Sequence, residues 1–229
     1  MTLPRTTLLQ IRPAIPAPFR SLALIVAAGV LVSCANPAEN KPKADVQEPA
    51  PMAEAPMSAA NATYAITPEN SKVSFVGSKV TGSHDGGFHQ FSGTITVPGG
   101  DIASGHVALE IDVTSIWADN ERLTGHLKSP DFFEVETYPK STFHSTEIAP
   151  SGDTAWTITG NLNLHGVEKS ISFPAKIELT GAGVMVNSEF ALNRKDFGIK
   201  YEGQPDNLIR DEVVLKLAIN ATPADAQPM

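Results

Sequence analysis

Residues 83–85 read Ser-His-Asp, the three side-chain types that cooperate in nucleophilic hydrolysis. Contiguous residues cannot converge side chain on side chain in that relay, and no G-x-S-x-G elbow occurs in the chain, so the run carries no hydrolase chemistry. His84, Asp85 and His89 offer a second chemistry, ligation of a metal ion. Their spacing in a glycine-rich stretch fits no strong ligand signature, and the segment reads as a polar hairpin. Of the six histidines, His126 flanks a short helix, His144 points away from the side that Phe143 faces, and His106 and His165 sit at strand ends. None has an evident orienting carboxylate, which makes each a weak general base. The expectation is a protein with no catalytic residue, no metal and no cofactor.

The single cysteine, Cys34, can form neither an internal disulfide nor a zinc ribbon. Residues 21–32, SLALIVAAGVLV, are apolar or small and follow Arg20. That is the h-region of a signal peptide, too short to span a bilayer comfortably. It runs into Leu31-Val32-Ser33-Cys34, which resembles a bacterial lipobox. The resemblance implies removal of residues 1–33 and acylation of Cys34. Ala35 in place of Asp after the cysteine resembles an outer-membrane address. The expected location is therefore a bacterial membrane, the outer more than the inner, with the protein exported and facing the periplasm. Net charge is −8, and removing the three leader arginines leaves 14 basic against 25 acidic residues, a net of −11. Such a chain repels nucleic-acid phosphate, so no nucleic-acid partner is expected.

The elements that would position any site come next. Residues 34–62, rich in Ala and Pro and bearing charges of both signs, cannot bury enough apolar surface to offset ordering entropy, and read as a disordered tether. Over 63–222 apolar and polar residues alternate with a period of two. Trp156, Ile158, Gly160, Leu162 and Leu164 share one face; after a turn at His165-Gly166, Ile171, Phe173, Ala175, Ile177 and Leu179 resume it. Similar runs cover 106–113, 142–148, 184–192 and 213–219, with a phase slip between Phe88 and Phe91 that suggests a bulge. One segment, 119–128, has helical spacing, with Leu123 and Leu127 on one face and Asp119 at its start. Residues 223–229 read as a short tail. The fold class is all-β: eight or more antiparallel strands with one short helix suggest a barrel or a sandwich, and a barrel removes the strand edges that a chain without disulfides would otherwise expose. Phe132 and Phe133, adjacent in a connection, either plug one barrel end or line an entrance. The stretch from Asn193 to Val213 reads as a wide connection held by surface ion pairs of Arg194 or Arg210 with Asp196 or Asp211, in preference to a lid.

Six segments in order carry a family resemblance: YAITPENSKVSF, GGFHQFSGTITV, ERLTGHLKSPDFFEV, YPKSTFHST, GNLNLHGVEKSISFPA, and NRKDFG with IRDEVVLKLAIN. Together they resemble the YceI family of lipid- or polyisoprenoid-binding proteins. The resemblance implies an extended lipocalin-like barrel whose bore accepts a long-chain isoprenoid lipid, a quinone or a polyprenyl. Periodicity alone cannot tell a filled barrel from a hollow one. Gly160 and Ala175 on the oily face suggest room for a tunnel. The expected bore lining is Phe75, Leu109, Ile111, Phe132, Phe133, Phe143, Trp156, Ile158, Leu162, Ile171, Phe173, Ile177, Val186, Phe190, Leu215 and Leu217. Two other readings stay open: a barrel enzyme or metal-assisted stress protein, and a solid-core structural envelope lipoprotein.

Overall fold

A computed structural model of the chain describes residues 36–51 and 61–224. The expected leader 1–33, the expected lipidation site Cys34, residues 52–60, and positions 225–229 of the expected tail 223–229 lie outside the described residues. A first short strand, β1 (Asp45–Gln47), precedes the barrel. The period-two segments then become strands, three of them interrupted. β2 (Asn61–Ile66) continues as β3 (Lys72–Lys79), β4 (Gly82–Phe88) as β5 (Phe91–Pro98), and β6 (His106–Asp112) as β7 (Ile116–Ala118). After the helix α1 (Glu121–Leu127) come β8 (Lys140–Pro150), β9 (Ala155–Leu164), β10 (Val167–Thr180) and β11 (Gly183–Asn193). A small hairpin, β12 (Gly203–Gln204) and β13 (Asn207–Leu208), leads to β14 (Glu212–Pro223).

Each stave pairs antiparallel with the next in sequence, and β14 returns to pair with both β3 and β2. The result is an eight-stranded, up-and-down, lipocalin-like barrel with α1 as the single α-helix among the described residues. The breaks are stitched. Between β2 and β3 the β14 ladder is bridged by Asn220, which donates from its amide to Ser71 Oγ (3.1 Å) and from Nδ2 to the Asn70 carbonyl (2.9 Å). The Phe88/Phe91 phase slip lies at the break between β4 and β5. Across it the Gln90 carbonyl accepts from Asp112 N, and Ser115 Oγ accepts from Gln90 N. In β8 a bulge between Ser145 and Glu147 shifts the inward phase, so Phe143 and Ile148 both face the core. His165 and Gly166 both take positive φ, the requirement of a two-residue type I′ hairpin, and join β9 to β10.

The wall has one seam. β10 and β11 pair only over Lys176–Thr180 and Gly183–Asn187. Beyond this stretch lies Pro174, which has no N–H to give, and the two strands part. The N-terminal segment fills the gap. β1 pairs with Ser170–Ser172 of β10, while the Ala191 amide donates to the Pro42 carbonyl (2.8 Å) and the Ala44 amide to the Ala191 carbonyl (2.9 Å). The Asn161 side chain brackets Ala50, accepting from its amide and donating to its carbonyl. Ala38 is wholly buried against Val76, Ala191 and Val214 on the outer wall. Lys41 pairs with Glu189, Lys43 with Glu212 and Lys169 with Glu48.

Residues 36–51, expected to be part of a disordered tether, are thus an ordered strap. Their composition cannot bury a core of its own, but two open strand edges supply partners that composition does not reveal. At the far end β14 runs to Pro223, so the barrel reaches one residue beyond its expected boundary at 222. Replacing Ala38 with Trp should overfill its site, cost about 1–3 kcal/mol, and detach the strap. Hydrogen exchange at the Ala191 amide is then expected to accelerate; unchanged protection would contradict the strap's role in closing the seam.

Candidate functional site: a cavity with one polar end

The barrel is solid at one end and hollow at the other. At the end carrying the β8–β9 and β10–β11 turns, Val97, Ile148, Ile177 and Val184 are buried and pack with Ile102, leaving a void of only about 10 Å³. Toward the α1 end a cavity of about 670 Å³ opens. Phe173 stacks on Phe190 with ring centroids 4.4 Å apart, and Phe143 lies 5.8 Å from Phe173, so an aromatic layer forms part of its wall. A void of this size, lined mostly by apolar side chains and open at one end, is the shape of a ligand cavity and sets aside the solid-core expectation.

Fourteen of the sixteen expected lining residues face this cavity: Phe75, Leu109, Ile111, Phe132, Phe133, Phe143, Ile158, Leu162, Ile171, Phe173, Val186, Phe190, Leu215 and Leu217. Trp156 and Ile177 do not. Ile177 belongs to the solid end, and Trp156 pairs with Ala175 near the same turns, its Nε1 enclosed without a hydrogen-bond partner. Alternation assigns a face but not a height along the bore. The small residues do not open the tunnel either. A Cβ on Gly160 would lie 2.5 Å from the Phe143 ring, so the glycine is filled from the neighbouring strand, and Ala175 is simply buried in the core. Phe132 and Phe133 line the entrance, packed with Phe75, Leu127 and Ile199.

The polar lining gathers at one end, where α1, the β3–β4 hairpin and the segment between β11 and β14 meet. Arg122, Leu123, His126 and Leu127 come from α1, capped by Asn120, whose side chain accepts from Leu123 N (3.0 Å). Asp119, expected as the cap, instead accepts from Asp85 N and pairs with His84 Nδ1 at 2.8 Å. His126 Nε2 similarly meets Asp131 Oδ2 at 2.8 Å, and its ring abuts Phe132 and Tyr201. His165 Nε2 lies 3.8 Å from Glu134 Oε2, so three histidines expected without carboxylate partners have them. Fold proximity supplies two of the pairs and a five-residue turn the third. His84, Asp85 and His89 do not converge: His89 stacks on Trp117, and Asp85 faces Lys216. Among the described residues no three His, Cys, Asp or Glu side chains are placed to share a metal ion.

The stretch from Asn193 to Val213 covers the mouth as well as connecting strands. Ile199, Tyr201, Gly203, Gln204, Asn207, Ile209 and Arg210 all line the cavity. The β12–β13 hairpin is tied to β3–β4 by Val80 N to Leu208 O (3.1 Å) and Arg210 N to Ser78 O (2.8 Å). Arg194 is not on the surface: it is buried, donating from Nη1 to the Ile199 carbonyl (2.7 Å) and from Nε to the Arg210 carbonyl (3.1 Å). Its expected pairing with Asp211 exists at 3.6 Å, and Lys195 shares that carboxylate at 3.1 Å. Burial pulls the Arg194 guanidinium below its usual pKa, with Asp211 and Glu202 opposing. The mouth residues Ser78, Lys79, His84, Arg122, Arg194 and Arg210 were not legible as a group, because they come from separate segments.

The sequence profile of the YceI-like domain matches residues 64–221, the barrel almost end to end. The chain belongs to the YceI family. A UPF0312 protein of Pseudomonas aeruginosa (strain LESB58) is 35% identical over 140 residues, spanning 58% of this chain and 71% of that one. A UPF0312 protein of Pseudomonas putida (strain W619) is 32% identical over 124 residues, covering 52% of this chain and 65% of that relative, just under two thirds of its length. Among solved structures, Burkholderia cenocepacia BcnA superposes with a TM-score of 0.64 at 27% identity, covering 69% of this chain and 99% of BcnA. A polyisoprenoid binding domain from Saccharophagus degradans, at 22% identity and a TM-score of 0.58, covers 71% of this chain and 98% of its own and shares the fold. The strap at 36–51 lies outside the region this YceI domain shares with the family profile.

The hydrogen bond from His84 holds the Asp119 carboxyl below its ordinary value of 3.8. A depressed carboxyl pKa stabilises the fold above that value, and the contribution disappears as pH falls through the lowered one. In acid unfolding, the native chain should exceed Asp119→Asn in stability at pH 5 and converge with it below pH 3; a gap that is constant across that range would contradict the pairing.

Proposed function

We propose that this YceI protein binds and carries a long-chain isoprenoid lipid, of quinone or polyprenyl type, in the bore of a barrel tethered to the periplasmic face of a bacterial membrane. The observation that carries this reading is the cavity of about 670 Å³, apolar through its depth, closed by packed aliphatics at one end and rimmed by polar groups at the other. Such a shape suits an amphiphile with one long apolar chain and one polar head. The Saccharophagus degradans neighbour is a polyisoprenoid binding domain, which supports the same class of ligand. Each methylene removed from water contributes about 0.8 kcal/mol. The bilayer offers nearly the same gain, so net transfer is close to balanced and exchange is feasible, as carriage requires.

The strap gives the tether a direction. Ala38 is seated against Val76 and Val214, whose neighbours Gly77 and Val213 line the mouth. Cys34 stands four positions before Ala38, a reach of at most about 14 Å. An acylated Cys34 would therefore hold the open end of the bore beside the membrane surface.

The test uses transfer from isoprenoid-loaded vesicles, followed by repurification and ligand quantification. Leu215→Trp places an indole in the cavity and is expected to lower uptake at least tenfold while the circular dichroism spectrum stays that of the native barrel. Full uptake by the folded variant would contradict the bore as the binding site. In the same preparation Cys34→Ser should abolish flotation with vesicles and leave the barrel intact.

A further inference from the structure

The strap stands in the barrel wall as a short extra stave, antiparallel to β10 and parallel to β11. Where the two strands part, a side-chain bond replaces the ladder, from Ser188 Oγ to the Pro174 carbonyl at 2.6 Å. The strap faces inward as a stave does. Val46 lies opposite Ile171, cross-strand partners share a face, and Ala44 is on the same face two residues earlier. Both pack against the core. On the two sides of the opening, Ile171 and Phe173 of β10 and Phe190 and Leu192 of β11 line the large cavity. One layer of side chains therefore separates the strap from the bore. The stack of Phe173 on Phe190, with rings only 11° from parallel, spans the opening from within.

This stave is held more weakly than its neighbours. The β9–β10 ladder runs along Val167–Lys176 of β10, and the β11–β14 ladder along Val184–Asn193 of β11. The strap pairs with β10 only over Asp45–Gln47, and with β11 through Pro42 and Ala44 on the two sides of Ala191. Its ion pairs to Glu189, Glu212 and Lys169 lie at the surface, where such pairs stabilise little. A segment with few buried apolar groups opens locally at less cost than the whole fold. The ring stays closed when the strap leaves, because β10 and β11 remain paired over Lys176–Thr180 and Gly183–Asn187. Without its middle stave the opening is about 9–10 Å between flanking backbones, twice the strand spacing.

Resting on the bore as the binding site, we propose that the strap is a side gate. Its local release opens a slot between β10 and β11, the Phe173 and Phe190 rings turn aside, and the apolar chain of the ligand passes sideways into or out of the bore. Return of the strap seals the chain in. A long chain moving broadside need not be threaded lengthwise past α1 and the β12–β13 segment, which stand over the mouth. The gate governs the rate of exchange and leaves the bound state unchanged, because Ala44 and Val46 pack behind the cavity lining and are not part of it.

The test measures rates of loading and unloading of the full chain, with geranylgeraniol in phosphatidylcholine vesicles as the probe. Asp45→Cys with Ser172→Cys, in a Cys34→Ser background, staples the strap to β10. The two positions are cross-strand partners, about 4.5–5.5 Å apart at Cα and so within reach of a disulfide. The oxidised protein is expected to exchange the probe at least tenfold more slowly than the same protein after reduction, with the same amount bound at equilibrium. Equal rates would overturn the gate while the bore reading stands. Lys41→Glu with Lys43→Glu sets the strap against Glu189 and Glu212 and keeps the test valid if the cysteine variant misfolds. It should speed exchange at least threefold at low salt, an effect that fades as salt is raised. An unchanged rate in that variant, with the Ala191 amide exchanging hydrogen faster, would equally overturn the gate. A native chain that takes up no probe would overturn the bore reading and the gate with it.

Discussion

The structure depends on ring closure. β14 returns to pair with β3 and β2, every main stave then has two neighbours, and no long edge remains for another chain to extend. Closure without a disulfide is possible because each strand is joined to the next by a short connection, apart from the two long segments at the α1 end. The same closure fixes the width of the bore. Eight strands enclose a space that side chains can just fill, or leave open for one ligand. This barrel does both, one at each end.

The two ends follow from where the long connections fall. Tight turns at 150–155 and 180–183 let Ile148, Ile177 and Val184 meet and fill the bore. At the other end α1 and the β12–β13 segment stand over the strands without filling them. They contribute Phe132, Tyr201 and Ile209 as walls, and arginines and histidines as rim. The seam between β10 and β11 is the weak place in the wall, and the chain closes it with its own N-terminal residues. That strap also ties the start of the barrel chain to the mouth end of the bore.

Much of the barrel was legible in the sequence, because a period of two states which residues face inward. Phe143, Ile158, Leu162, Phe173 and Phe190 follow from that rule alone. What the rule omits is position along the axis and the identity of the cross-strand neighbour. Trp156 and Ile177 point inward but sit in the solid end. Gly160 looked like free space and holds the Phe143 ring instead. The strap was misjudged because composition weighs what a segment can bury by itself, and its partners are edges 120 to 150 residues away. The polar rim escaped for a related reason: Ser78, Arg122, Arg194 and Arg210 carry no local pattern and meet only when the barrel closes.

The central claim is that the bore encloses a lipid and not merely its own side chains. Organic extraction and mass spectrometry of the full chain, taken from its native membrane fraction and separated from bulk lipid, tests that most directly. The account predicts one prenyl-chain amphiphile per protein molecule, enriched over its share of the surrounding membrane. A folded protein that yields no lipid, both as isolated and after incubation with isoprenoid-loaded vesicles, would contradict it.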